Sequence, residues 1–306
     1  MITDKLIEKI IEMQNPTCVG LDTLFDYLPD DMKAGAKTFE DVAERVLAFN
    51  KKLIDSIYDI VPSVKVQIAY YEMYGVAGMK AYEETLKYCA EKDLVVIADA
   101  KRNDIGATAS AYAAAYLGDT QVGSEKLTAY SADFLTVNGY LGVDGVKPFT
   151  DVENVKGGGI FVLVKTSNPS SGQLQDMKLE DGRTVYEAMA DLVKEWGEGA
   201  MGELGYSSVG AVVGATYPQQ GAELRVRMPK TFFLVPGYGA QGATGADLAG
   251  CFDENGSGAI VNASRSILCA WKKREGVAFD VAARDEAIRM REDIAAGLAA
   301  AGKAIK

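Results

Sequence analysis

Histidine is absent from all 306 residues. That removes Ser-His-Asp and Cys-His catalysis, histidine general bases and the common imidazole metal sites, leaving proton transfer to Lys, Asp, Glu, Tyr or Cys. Cysteine is scarce: Cys18, Cys89, Cys251 and Cys269 lie far apart, with no C-x-x-C pair and no metal-ligand spacing. They read as buried or idle thiols in a reducing, cytoplasmic setting, and no metal is expected. Positive charge is in deficit, Lys plus Arg numbering 32 against 43 Asp plus Glu, for a formal net charge of −11. Such a surface repels nucleic acid and anionic membranes, so neither is an expected partner. No apolar run approaches the roughly 18 to 20 residues that span a bilayer. Residues 1–15 place Ile2, Leu6, Ile7, Ile10, Ile11 and Met13 on a helical period, which predicts an amphipathic helix and no signal peptide. Neither Pro nor Ser gathers into a linker, so residues 1–306 read as a single domain.

What the chain does have is a short charged cluster behind an apolar run. Leu94-Val95-Val96-Ile97-Ala98 reads as a buried strand, and Asp99-Ala100-Lys101-Arg102-Asn103-Asp104 follows it. Alternation along an extended chain puts Asp99 and Lys101 on one face, a carboxylate beside an ammonium. Such a group can press a fixed negative charge and a proton-donating cation against one substrate, or it can be a structural ion pair at a strand end.

Short apolar runs, turns and helical patterns alternate through the sequence. Strands are predicted at 17–21, 63–68, 94–98, 134–137, 160–164, 209–213, 232–235 and 259–261. Helices are predicted at 39–58, 78–91, 108–127, 184–204, 218–228, 246–255 and 277–300. Eight β-α units point to an α/β fold, a (β/α)8 TIM barrel with an extra N-terminal helix; an open doubly wound sheet shows the same alternation. Asp22, Lys65, Asp99 with Lys101, Asn138, Lys165, Thr216, Pro236 and Arg265 fall within or just after successive runs, so a barrel collects them at the rim where active sites sit. Asn138, Lys165 and Thr216 also fit merely solvated strand ends. The longest irregular stretch, 167–183, has the length of a lid. Glycines in Pro236-Gly237-Tyr238-Gly239-Ala240-Gln241-Gly242 allow backbone N–H groups close to an anion, and Asn262-Ala263-Ser264-Arg265-Ser266 adds a guanidinium in the next loop, beside a predicted helix start. Together they suit a phosphate.

With these residues in place the chain resembles the orotidine 5'-phosphate decarboxylase family, and within it the longer bacterial group. The resemblance rests on Gly20-Leu21-Asp22, Val64-Lys65-Val66-Gln67, Asp99 through Thr108, Lys165-Thr166-Ser167-Asn168-Pro169, the 236–242 loop and Ser264-Arg265-Ser266-Ile267. It departs at Gly139, where the resemblance to the longer group leads to an expectation of proline. The resemblance implies cofactor-free decarboxylation of orotidine 5'-phosphate to uridine 5'-phosphate, a step of pyrimidine biosynthesis. Lys65, Asp99, Lys101 and Asp104 would form a charged tetrad, with Asp99 against the substrate carboxylate and Lys101 protonating C6. Asp22 and Lys65 would hold ribose hydroxyls, and Asp104 and Thr108 would reach the neighbouring subunit's substrate in a homodimer. Ser167 would meet the pyrimidine, Pro236 would line the pocket near the departing carboxylate, and Gln241 and Arg265 would hold the phosphate. The competing readings are a Mg²⁺-dependent sugar-phosphate decarboxylase or aldolase of the same barrel type, and a non-catalytic phosphate-binding barrel. The first needs a second carboxylate where this chain has Lys65; the second has no need of Lys101 or Asp99.

Overall fold

The computed structural model describes residues 1–151, 155–239 and 242–306. Ten strands occur among them: β1 (Thr17–Leu21), β2 (Ser63–Gln67), β3 (Val95–Arg102), β4 (Thr120–Val122), β5 (Glu125–Leu127), β6 (Phe134–Val137), β7 (Gly159–Lys165), β8 (Ser207–Val213), β9 (Thr231–Pro236) and β10 (Ala259–Ala263). Eight of them close into an all-parallel barrel in the order β1-β10-β9-β8-β7-β6-β3-β2. The closed ring excludes the open sheet and leaves no free edge.

An eight-stranded barrel is just wide enough for side chains to fill. Cys18, Val95, Ile97, Phe134, Phe161, Phe232 and Ile260 fill the lower interior, and Leu6, Ile7 and Ile10 of the helix Ile2–Met13 join the same cluster. That helix plugs the end where the strands begin: Thr3 Oγ1 donates to Ser207 O, and Asp4 accepts the backbone N–H groups of Glu203 and Leu204. With one end closed by apolar side chains, the other end of the interior is free to hold polar ones. A larger cluster, including Phe49, Leu53, Ile57, Tyr82 and Leu86, lies between the sheet and the surrounding helices. Thr38 with Asp41 and Thr184 with Glu187 form reciprocal capping boxes that start the helices Phe39–Ile57 and Val185–Trp196, each cap contributing about 1 kcal/mol. Among the described residues no helix is long and apolar enough to cross a membrane.

Three predicted helices come out shorter. The helix expected over 108–127 runs Gly106–Leu117; Gly118 ends it, and Gly123, at φ +60°, turns an exposed antiparallel hairpin of β4 and β5. The helix expected over 184–204 stops at Trp196, where Gly197 and Gly199 weaken helical continuation. That expected over 246–255 is only Gly245–Leu248 and a short 3-10 turn, Ala249–Cys251. Lys165 is no solvated strand end either. It is 1% exposed, because the β7–β8 register shifts between Leu163 and Lys165. A bulge of this kind re-aims a side chain, and Lys165 meets Asp176 at 2.6 Å between the rings of Tyr186 and Tyr217.

Candidate active site

Period-2 alternation builds the site. Val95 and Ile97 of β3 lie in the barrel's apolar interior, and Asp99, next in the same parity, emerges above them. Phe134 leads to Thr136 in the same way, Phe232 and Leu234 to Pro236, and Ile260 to Asn262. The result is a cavity of about 510 Å³ at the carboxyl ends of the strands, with Leu163, Val212 and Leu234 as its apolar floor.

Across this floor runs a row of alternating charge. Ser264 Oγ donates to Asp22 Oδ2 (2.8 Å); Lys65 Nζ stands 3.0 Å from Asp22 Oδ1 and 2.9 Å from Asp99 Oδ2; Lys101 Nζ stands 2.7 Å from Asp99 Oδ1. Gln67 Nε2 donates to Asp99 Oδ2 at 3.0 Å. Lys65 is 4% exposed and Asp99 6%, so water screens their attraction little. Burial alone pushes the Lys65 ammonium down, yet the facing carboxylates of Asp22 and Asp99 overcome it and raise its pKa. Burial alone likewise raises the Asp99 carboxyl, and the charges of Lys65 and Lys101 overcome that and hold it well below the usual carboxylate range. Both groups therefore stay ionised at neutral pH. The Lys101 side chain, 47% exposed, reaches into the open part of the cavity, where a bound molecule can meet it.

One close approach and one left-handed loop explain neighbouring glycines. A Cβ on Gly20 would lie 1.9 Å from Ser264 Oγ, so only glycine lets β1 approach the Ser264 side chain that holds Asp22. Gly237, Gly239 and Gly242 have φ of +113°, +69° and +91°, the region open chiefly to glycine. Tyr238, between them, donates from its hydroxyl to Asp293 Oδ2 (2.7 Å), anchoring this loop to the helix Phe279–Ala300. Gly237, Pro236, Ser167 and the exposed Arg265 all border the same cavity.

The sequence model described as the orotidine 5'-phosphate decarboxylase / HUMPS family matches residues 18–278. The chain is 42% identical over 296 residues to the orotidine 5'-phosphate decarboxylase of Clostridium perfringens (strain SM101 / Type A), covering 96% of this chain and 98% of that protein. It is 44% identical over 283 residues to the protein of that name from Rhodopirellula baltica, covering 92% of each. The crystal structure of a putative orotidine 5'-phosphate decarboxylase from Streptomyces avermitilis superposes with a TM-score of 0.79 at 30% identity, over 97% of this chain and 96% of that one. The chain belongs to the orotidine 5'-phosphate decarboxylase / HUMPS family.

Within the family's charged motif, a single chain brings Lys65, Asp99 and Lys101 together with Asp22, and leaves Asp104 apart. Asp104 accepts the Ile105 backbone N–H at 2.8 Å, and neither it nor the exposed Thr108 borders the cavity. Gln241 lies outside the described residues. Asn138 caps the turn that follows β6 by accepting the Tyr140 N–H (3.0 Å). Gly139 stands at a tight spot: a Cβ there would lie 2.8 Å from Met189 Sδ and 3.0 Å from Val162 Cγ1. Sequence reasoning did not single out Thr136, and it placed Asn262 and Ser264 only within a phosphate loop, with no role beside the charged row. The available signal was their parity with the interior residues Phe134 and Ile260.

Proposed function

We propose that this chain decarboxylates orotidine 5'-phosphate to uridine 5'-phosphate and CO2 without a cofactor, as a cytoplasmic enzyme of de novo pyrimidine synthesis. The observation that carries this reading is the row Asp22, Lys65, Asp99, Lys101. The substrate carboxylate lies against Asp99. As the C6–carboxylate bond breaks, its electron pair stays on C6 and CO2 leaves; the Lys101 ammonium faces that developing charge, then transfers its proton to C6 and regains one from water. The cations are in place before the charge exists, so little reorganisation is needed in the transition state. The Lys65 ammonium also argues against the Mg²⁺ route, since it fills the space between two carboxylates that a dication would otherwise bridge.

Asp22 and Lys65 take the ribose hydroxyls, Ser167 the pyrimidine, Pro236 the face near the departing carboxylate, and Arg265 with Gln241 the phosphate. Asp104 and Thr108 act on the partner's substrate in a homodimer. That assembly is supported by the exposed apolar side chains of Ile105, Tyr140, Leu141 and Val143. The 167–183 segment serves as a lid whose base is tied down by Lys165–Asp176 and by Gln175, which bonds both the N–H and the hydroxyl of Thr166.

The test is the loss of orotidine 5'-phosphate absorbance on adding purified protein in excess chelator. Turnover supports the reading. Turnover only with Mg²⁺ restored favours the metal-dependent branch, and phosphate-dependent nucleotide binding with no turnover favours a binding protein.

A further inference from the structure

Thr136 sits in β6 at 1% exposure, beside the most irregular part of the barrel. The β3–β6 ladder pairs Ala98 with Leu135 and next pairs Arg102 with Val137, so three residues of β3, Asp99 to Lys101, face Thr136 alone. The bulge turns Lys101 into the left-handed region, at φ +46°, a conformation that a residue with a side chain adopts only where its surroundings hold it. The hydroxyl of Thr136 spans the gap. It accepts the Lys101 backbone N–H (2.9 Å) and donates to Asp99 Oδ1 (2.9 Å).

We propose that Thr136 is a positioning residue, its one hydroxyl holding the Asp99 carboxylate and the Lys101 backbone in the geometry that proton delivery requires. This rests on the decarboxylase reading. An ionised carboxylate has about four acceptor positions, and those of Asp99 are all taken: Lys101 Nζ and Thr136 Oγ1 on Oδ1, Lys65 Nζ and Gln67 Nε2 on Oδ2. Losing the hydroxyl frees one oxygen of the carboxylate and leaves the Lys101 N–H of the bulge without its partner. The carboxylate can then rotate and the bulge relax, which moves the ammonium from its place over the cavity. Valine keeps the shape and removes both hydrogen bonds; serine keeps the hydroxyl.

The experiment compares wild type, Thr136→Val and Thr136→Ser in steady-state decarboxylation, in hydrogen–deuterium exchange at C6 of bound uridine 5'-phosphate, and in thermal unfolding. C6 exchange reads Lys101's proton transfer in reverse, apart from CO2 release. Thr136→Val is expected to lower kcat on the order of 100-fold, the scale of an ångström's misplacement, with KM nearly unchanged and C6 exchange slowed in parallel. Thr136→Ser is expected to recover most of both. The proposal is overturned if kcat per folded molecule stays at the wild-type value in Thr136→Val, if Thr136→Ser is as slow as Thr136→Val, or if the loss falls on KM alone. Should Thr136→Val not fold, Thr136→Ala is read in its place. Wild-type turnover tests the decarboxylase reading separately. If the wild type is inactive, crystal structures decide: Lys101 Nζ displaced in Thr136→Val supports the positioning role, and Lys101 unmoved refutes it.

Discussion

Lys101 folds back onto Asp99, two residues earlier on the same strand: its Nζ lies 2.7 Å from Asp99 Oδ1 while its own backbone stands at φ +46°. The contact thus depends on a local break in the strand, and it sets the charge that faces the cavity. Lys65 approaches Asp99 from the other side, 34 positions away in sequence and 2.9 Å away in space. Asp99 is consequently held by two cations of different freedom, one buried and one able to reach a ligand.

Lys101→Ala should nearly abolish decarboxylation while the protein still folds, because the half-exposed side chain contributes little to the core. Steady-state assays with far-ultraviolet circular dichroism check this. A rate close to wild type removes Lys101 as the proton donor.

Arg265→Ala should weaken binding of uridine 5'-phosphate by about 1.5 to 3 kcal/mol, the scale of a hydrogen bond to a charged group, while leaving the weak binding of uridine unchanged. Titration calorimetry with both ligands measures the difference. Equal losses for the two would place Arg265 away from the phosphate.

Mixed dimers test the partner roles. Asp99→Ala and Asp104→Ala homodimers should each be inactive, whereas verified heterodimers should regain part of the activity, because one of the two sites then has both residues. No recovery assigns Asp104 to its own chain's site.

The depressed pKa of Asp99 has a pH signature. A carboxyl whose folded value lies below its unfolded value of about 3.9 adds stability above that value, and the contribution is lost as pH falls toward the folded value. Urea unfolding should therefore show wild type more stable than Asp99→Asn by a constant margin from about pH 5 to 9, and the margin should shrink below about pH 4. A margin that changes near neutrality contradicts the ionised pair.

Lys165→Met should keep the packing between Tyr186 and Tyr217 yet release Asp176, which is exposed enough to be hydrated. The expected outcome is near-normal thermal stability with faster proteolytic cleavage within 169–178. Unchanged cleavage means that the ion pair does not restrain the segment.

Much of this protein was legible along the chain. Eight apolar runs separated by helical patterns point to parallel β-α units, because period-2 and period-3.6 burial are local properties of sequence; that the sheet closes into a barrel was decided by the tertiary structure. The same alternation sends Asp22, Lys65 and Asp99 to one end of the sheet. The hairpin of β4 and β5 was missed because an alanine-rich helical pattern masks two three-residue strands. Only the tertiary structure decided which charges meet, since register between strands far apart in sequence is a non-local property. It brings Ser264 onto Asp22, leaves Asp104 outside the cavity, turns Lys165 away from the barrel at one bulge, and sets Thr136 against Asp99 and Lys101 at another. Bulges answer to the fit of whole strands around a closed ring, and no short window of residues contains that constraint.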